Sequence, residues 1–117
     1  MIHIKRAYDE PEPGDGVRIL VDRLWPRGIR KDELHLDGWN KEVAPSNELR
    51  SWFGHEPGRW EDFNRRYFNE LDKNPAAWQP ILKMARSGNV TLLHAARDRE
   101  HNNAVALATY LAARLAK

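Results

Sequence analysis

Two short stretches of this sequence carry residue types from which a polar site could be built. The first is Asp22, Arg23, Trp25, Pro26, Arg27, Gly28 and Lys31. An acid beside two arginines can orient and clamp a planar anion, because the guanidinium fork matches the oxygens of a carboxylate or phosphate. Trp25 could stack on a base or a sugar. The same residues could instead serve the loop itself, with Asp22 and Arg23 satisfying backbone groups and Trp25-Pro26 plugging the end of a sheet. The second stretch is His94, Arg97, Asp98, His101, Asn102 and Asn103. If a helix begins here, its free N–H groups and partial positive charge attract anions. Asparagine is a mediocre interior helix former, so two in a first turn either aim their amides into a cleft or simply face solvent beside the cap. His94 interrupts an apolar run, either as a general base or as a buried histidine bonded to a carbonyl.

Other chemistries find little support. With no cysteine there is no thiolate nucleophile, disulfide or zinc ribbon. His94 and His101 lie across a turn, and His3, His35 and His55 are scattered, so no spacing matches a known metal-ligand set. No metal and no cofactor are expected. Ser46, Ser51 and Ser87 read as caps or helix surface, with no Gly-x-Ser-x-Gly elbow. Gly14-Asp15-Gly16 lacks a third glycine and precedes a strand, so it is no dinucleotide fingerprint.

The elements that must position these residues follow from periodicity and punctuation. Ile2 to Arg6 alternates as a short strand. Asp9 to Gly16, rich in acid, proline and glycine, is a loop. Val17 to Val21 is a β-branched interior strand ending at Asp22. Residues Ile29 to Ala44 read as irregular, with Leu34, Leu36 and Trp39 tucked in. Ser46 caps a helix that Gly54 stops. Pro57 opens a second helix carrying Trp60, Phe63, Tyr67 and Leu71 on one face. Asn74-Pro75 opens a third, which Gly88 ends. The aromatic corner from Trp52 to Trp60 reads first as core packing at a helix–helix elbow. Val90 to Ala96 is the third strand, Asp98 a cap, and Arg99 to Ala116 the last helix.

The resulting fold class is α/β: a small, mostly parallel sheet of three strands or slightly more, with about four helices, in a single domain over 1–117. Three helices between the second and third strands allow a right-handed parallel crossover. Asp22 and Asn103 should then share the sheet edge where open α/β sheets bind ligands. The direction of the first strand is not fixed by the short loop that follows it.

A chain of 117 residues, 41% hydrophobic and with five tryptophans, can bury a core without staples. Its 19 basic and 17 acidic residues leave only +2, which by itself predicts no strong nucleic-acid binder and leaves nucleic acid as a weak partner at most. The bias is local, with Arg18, Arg23, Arg27, Arg30 and Lys31 opposed in that segment chiefly by Asp22. Arg18 should be pinned in the sheet and Arg30 should point outward. The short apolar run at Met1–Ile4 is no signal peptide and no stretch could span a bilayer, so the expected setting is the cytoplasm, with no membrane partner.

Several runs together resemble a known group. They are Asp15-Gly16 through Val21-Asp22-Arg23-Leu24-Trp25-Pro26-Arg27-Gly28, Lys31, Trp39 with Lys41, Ala44-Pro45-Ser46, Leu49-Arg50 with Trp52-Phe53-Gly54-His55, Trp60 with Phe63 and Tyr67, and Thr91 through Ala104. They are similar to the YeaO-like branch of a bacterial domain-of-unknown-function family, across nearly the whole chain. Related branches of that wider class carry a cysteine where His94 stands, and a Cys-His pair where Asn102-Asn103 stand. This chain departs from that pattern, so the resemblance carries over the location of a cleft and not any thiol or metal chemistry.

The leading expectation is therefore a cleft for a small phosphate- or carboxylate-bearing ligand, such as a nucleotide or a nucleic-acid end. Arg23, Trp25, Arg27, Lys31, Arg97, Asn102 and Asn103 would contact it. One rival is an enzyme with Asp22 or His94 as general base. The other is an interaction protein whose aromatic corner binds a partner. Whether there is turnover, and the oligomeric state, are left open by the residues.

Overall fold

The computed structural model describes all 117 residues, Met1–Lys117. Four strands, β1 (Ile2–Arg6), β2 (Val17–Leu20), β3 (Gly38–Trp39) and β4 (Val90–His94), form one sheet in the order β1-β4-β2-β3. Every pairing is parallel: Ile2 faces Val90 and Arg6 faces His94, Val17 also faces Val90, and Ile19 faces Gly38. This fixes the direction of the first strand. All four strands end at one edge of the sheet. β4 is buried at every position, as a central parallel strand must be.

The two faces of the sheet are covered differently. Ile19, Val21, Val90 and Leu92 pack with the inner faces of four helices, α1 (Asn47–Phe53), α2 (Trp60–Asp72), α3 (Pro75–Ser87) and α4 (Asn103–Leu115). On the opposite face lies the loop joining β1 to β2, which crosses β4 with only one tight turn at Pro13–Asp15. Asp15 anchors it. Its carbonyl accepts from the Thr91 hydroxyl at 2.7 Å, and its carboxylate pairs with Lys5 at 2.8 Å and with Arg18. Arg18 is thus pinned in the sheet, while Arg30 is exposed and pairs with its neighbours Asp32 and Glu33.

Local signals set most helix boundaries. The Leu49 N–H donates to the Ser46 hydroxyl at 3.1 Å, and Gly54 closes α1 in the left-handed conformation. Pro57 begins a single tight turn, Pro57–Arg59, that runs into α2. Buried aromatic polar atoms find backbone partners: the Tyr67 hydroxyl donates to the Val43 carbonyl and the Trp78 indole to the Leu71 carbonyl.

Two expectations need correction. The segment from Ile29 to Ala44 is not wholly irregular, because it contains β3 and a tight turn at Lys41–Val43. The last helix begins at Asn103, not near Arg99. Asp98 spends its side chain on the Glu100 and His101 N–H groups, at 2.9 and 3.0 Å, which makes a separate turn. Asn102 is the true cap, accepting from the Val105 N–H at 3.0 Å.

Candidate cleft at the strand ends

A cleft of about 800 Å³ opens at the carboxyl edge of the sheet. Arg6 and Tyr8 follow β1, the run Asp22 to Arg27 follows β2, and Ala95, Ala96 and Arg97 follow β4. Asn102 and Asn103 contribute from the start of α4. The helical side supplies Ala44, Pro45, Arg50, Phe53, His55 and Phe63.

Asp22 forms the floor. Its carboxylate accepts from the Ala95 N–H at 2.9 Å and from the Asn103 amide at 3.1 Å, and the same amide donates to the Val21 carbonyl at 3.1 Å. The end of β2 and the start of α4 therefore share one edge, as the crossover required. Burial pushes the Asp22 pKa above the ordinary carboxylate value. The Ala95 N–H, the Asn103 amide, Arg50 and His55 pull it back only in part.

Around that floor stand five arginines. Arg6 is braced by the Ala96 carbonyl at 2.8 Å and the Ala95 carbonyl at 3.4 Å. Arg23 reaches the Ala44 carbonyl at 3.4 Å, and its buried Nε has no partner. Arg27, Arg50 and Arg97 are exposed. None of the five belongs to an ion pair; of the eight arginines outside the cleft, Arg18, Arg30, Arg65, Arg99 and Arg114 pair with a carboxylate and Arg59, Arg66 and Arg86 do not. The cleft thus gathers forked, uncompensated positive charge around a single acid. Such a field attracts anions and matches carboxylate or phosphate oxygens.

The residues put forward from the sequence divide. Asp22, Arg23, Trp25, Arg27, Arg97, Asn102 and Asn103 all line the cleft. Lys31 does not; it is exposed, with its ammonium 5.9 Å from the Trp25 ring. The Trp25 indole is committed to the loop, since its N–H donates to the Ile29 carbonyl at 2.6 Å and its ring meets Trp39 edge-on. The Asn102 amide is spent on the α4 cap and on the Asp98 carbonyl. Arg6, Tyr8, Arg50 and His55 also line the cleft, although none is among the residues expected to contact a ligand. His55 is the one non-glycine residue with positive φ, at 58°, and strain of that kind concentrates at functional sites. The aromatic corner packs inward through Phe53, Trp60, Phe63 and Tyr67, while Arg59 and Arg66 sit over Trp52.

His94 lies outside the cleft lining. It is 1% exposed, and its Nδ1 has no hydrogen-bond partner, carbonyl or otherwise. Burial first, then Arg6 and Arg99, push its pKa down to about 4, with Asp9 opposing. A histidine whose folded pKa lies below its unfolded value of about 6.5 stabilises the fold in its neutral form above that value. That stability is lost as pH falls from about 6.5 toward 4, because the unfolded chain then binds the proton first. Between pH 7 and 5 the loss should be about 2 kcal/mol. Urea unfolding of wild type and His94→Leu at both values checks this, since the variant should lose that much less. An identical loss in both would assign the pH response to other groups.

No three His, Asp or Glu side chains come together to hold a metal ion. No helix is long and apolar enough to cross a membrane. The family described as the inactive DUF488-N3 subclade matches residues 1–117. The uncharacterized protein YeaO of Escherichia coli (strain K12) is 44% identical over 110 residues, covering 94% of this chain and 96% of its own length. The uncharacterized proteins Mb3100c of Mycobacterium bovis and Rv3073c of Mycobacterium tuberculosis are each 42% identical over 110 residues, covering 94% of this chain and 92% of theirs. No solved structure matches the chain.

Proposed function

The chain belongs to the inactive DUF488-N3 subclade, and from that premise we propose that it is a binding protein whose strand-end cleft holds a small phosphate- or carboxylate-bearing ligand. The observation that carries this reading is the set of five cleft arginines without a single ion pair. Arg23, Arg27, Arg50 and Arg97 hold the anion, and Asp22 with Asn103 fixes the floor against which it is oriented. The family's description as inactive and the withdrawal of His94 from the cleft both favour binding over turnover. The charge is gathered in a concavity instead of spread along a face, and the chain carries only +2. Duplex DNA, which needs many phosphate contacts, should bind weakly at about 0.15 M salt.

One observation favours a second reading. Asp22 is a carboxylate of raised pKa inside the cleft, and such groups serve as general acids or bases. Turnover with a pH–rate profile that Asp22→Asn abolishes would establish it.

Calorimetric titration of inorganic pyrophosphate tests the binding reading. Saturable one-to-one binding that weakens as salt rises is expected. No saturable binding of pyrophosphate, phosphate or citrate at low salt would end the proposal.

A further inference from the structure

Resting on the anion-binding reading, we infer that the ligand is a nucleoside phosphate, free or as the phosphorylated end of a single strand, with its base against Tyr8 and Leu24 and its phosphate among the arginines. Five large apolar side chains are exposed on the molecule: Met1, Ile4, Tyr8, Leu24 and Met84. Two of them, Tyr8 at 43% and Leu24 at 61% exposed, line the arginine cleft. An inorganic anion would leave this apolar surface wet. A ligand with a flat, weakly hydrated part next to its charge would cover it.

Tyr8 is held in place before anything binds. Its hydroxyl donates to the Arg27 carbonyl at 2.7 Å, and the Arg6 guanidinium sits 4.7 Å from the ring centroid. Its neighbour Asp9 is gripped by both forks of Arg99, at 2.8 and 2.9 Å, and accepts the Arg6 N–H at 2.9 Å. The ring is thus fixed in position yet exposed, so covering it costs little ordering entropy. Aromatic side chains of this kind, flanked by arginine, are the platforms on which bases stack. Trp25, the other aromatic of the strand-end loop, has its N–H and one edge already engaged. At about 800 Å³ the cleft exceeds what an inorganic anion needs and falls in the range of small-molecule sites.

The test compares pyrophosphate, ribose 5-phosphate, AMP and UMP by calorimetry, together with a short single-stranded oligonucleotide with and without a terminal phosphate. A nucleoside monophosphate should bind about tenfold more tightly than ribose 5-phosphate. Tyr8→Ala should erase that ratio, whatever it does to the affinity for pyrophosphate through Arg6 and Arg27, while Tyr8→Phe, which keeps the ring, should retain most of it. If Tyr8→Ala melts early, Leu24→Ser at the more exposed partner gives the same readout. A phosphorylated strand that binds more tightly than AMP identifies the strand end as the source, and the reverse order identifies the free nucleotide. Equal affinity for AMP, UMP and ribose 5-phosphate, with pyrophosphate still bound, overturns this inference alone. Failure of pyrophosphate as well overturns the anion reading beneath it.

Discussion

A chain carrying Arg27→Ala, Arg50→Ala and Arg97→Ala together is expected to bind pyrophosphate at least about a hundredfold more weakly than wild type, with no fall in melting temperature. A hydrogen bond to a charged group contributes about 1.5–3 kcal/mol, so the loss of two good contacts already gives that factor. The three side chains are exposed and enter no ion pair. Their removal breaks no ion pair and relieves mutual repulsion inside the cleft; Asp22 loses the field of Arg50 and keeps its Ala95 and Asn103 hydrogen bonds. Arg65→Ala is the matched control, because Arg65 pairs with Asp62 on the surface of α2. Isothermal titration and thermal melting of the triple variant and the control decide the matter. Wild-type affinity in the triple variant contradicts the assignment, and binding lost together with a sharp drop in melting temperature would make the three arginines structural.

The largest expected effect on stability comes from one methyl group. Gly16→Ala should remove a large part of the chain's stability. Gly16 sits at φ +65°, and a Cβ there would lie 2.0 Å from the Asn89 carbonyl oxygen and 2.6 Å from its carbon. Neither atom can yield cheaply. The same carbonyl accepts the Val17 N–H at 3.0 Å where β2 and β4 begin to pair, and the Asn89 side chain donates to the Gly14 carbonyl at 3.2 Å. Backbone strain and this overlap together should cost at least about 4 kcal/mol, a large part of the 5–15 kcal/mol that stabilises a typical domain. Gly28→Ala separates the two contributions. Gly28 has φ +80° but nothing within 4 Å of its would-be Cβ, so it should lose only about 1–2 kcal/mol. Urea unfolding of both variants measures the difference, and a Gly16→Ala chain as stable as Gly28→Ala would show that the β2–β4 start can relax.

Much of this architecture is readable in local patterns. β2 and β4 are apolar runs of β-branched and leucine residues, and α1 to α3 are bounded by Ser46, Gly54, Pro57, Pro75 and Gly88, each acting through its own backbone chemistry. β3 escapes such reading because two residues, Gly38 and Trp39, have no period. Its place is set by the tertiary bonds Asp37 N–H to Arg18 carbonyl and Asn40 N–H to Leu20 carbonyl, at 2.8 Å each. The start of α4 is ambiguous in the sequence because Asp98 and Asn102 are both good caps four positions apart, and only the three-dimensional path shows which one heads the helix.

The cleft was half legible for a related reason. Asp22, Arg23, Arg27 and Arg97 stand beside glycine, proline or a turn at strand ends, where binding residues collect. Arg6 and Tyr8 join them only because β1 runs parallel to β4. That direction depends on a loop anchored through Asp15 on the far face of the sheet, not on a helix visible in the sequence. Arg50 looks like any solvent-facing helical arginine until α1 is laid over the sheet edge.

The most direct test of the cleft assignment is a titration of isotope-labelled protein with inorganic pyrophosphate, followed by two-dimensional NMR of backbone amides, arginine Nε–H groups and asparagine side chains. Saturable shifts are predicted for the Arg23, Arg50 and Arg97 Nε–H signals, for the Ala95 amide and for the Asn103 side-chain amide, with Arg65 and Arg114 unmoved. Shifts that never saturate, or that fall on Arg65, Arg66 and Arg114 while the cleft signals stay still, would contradict the account.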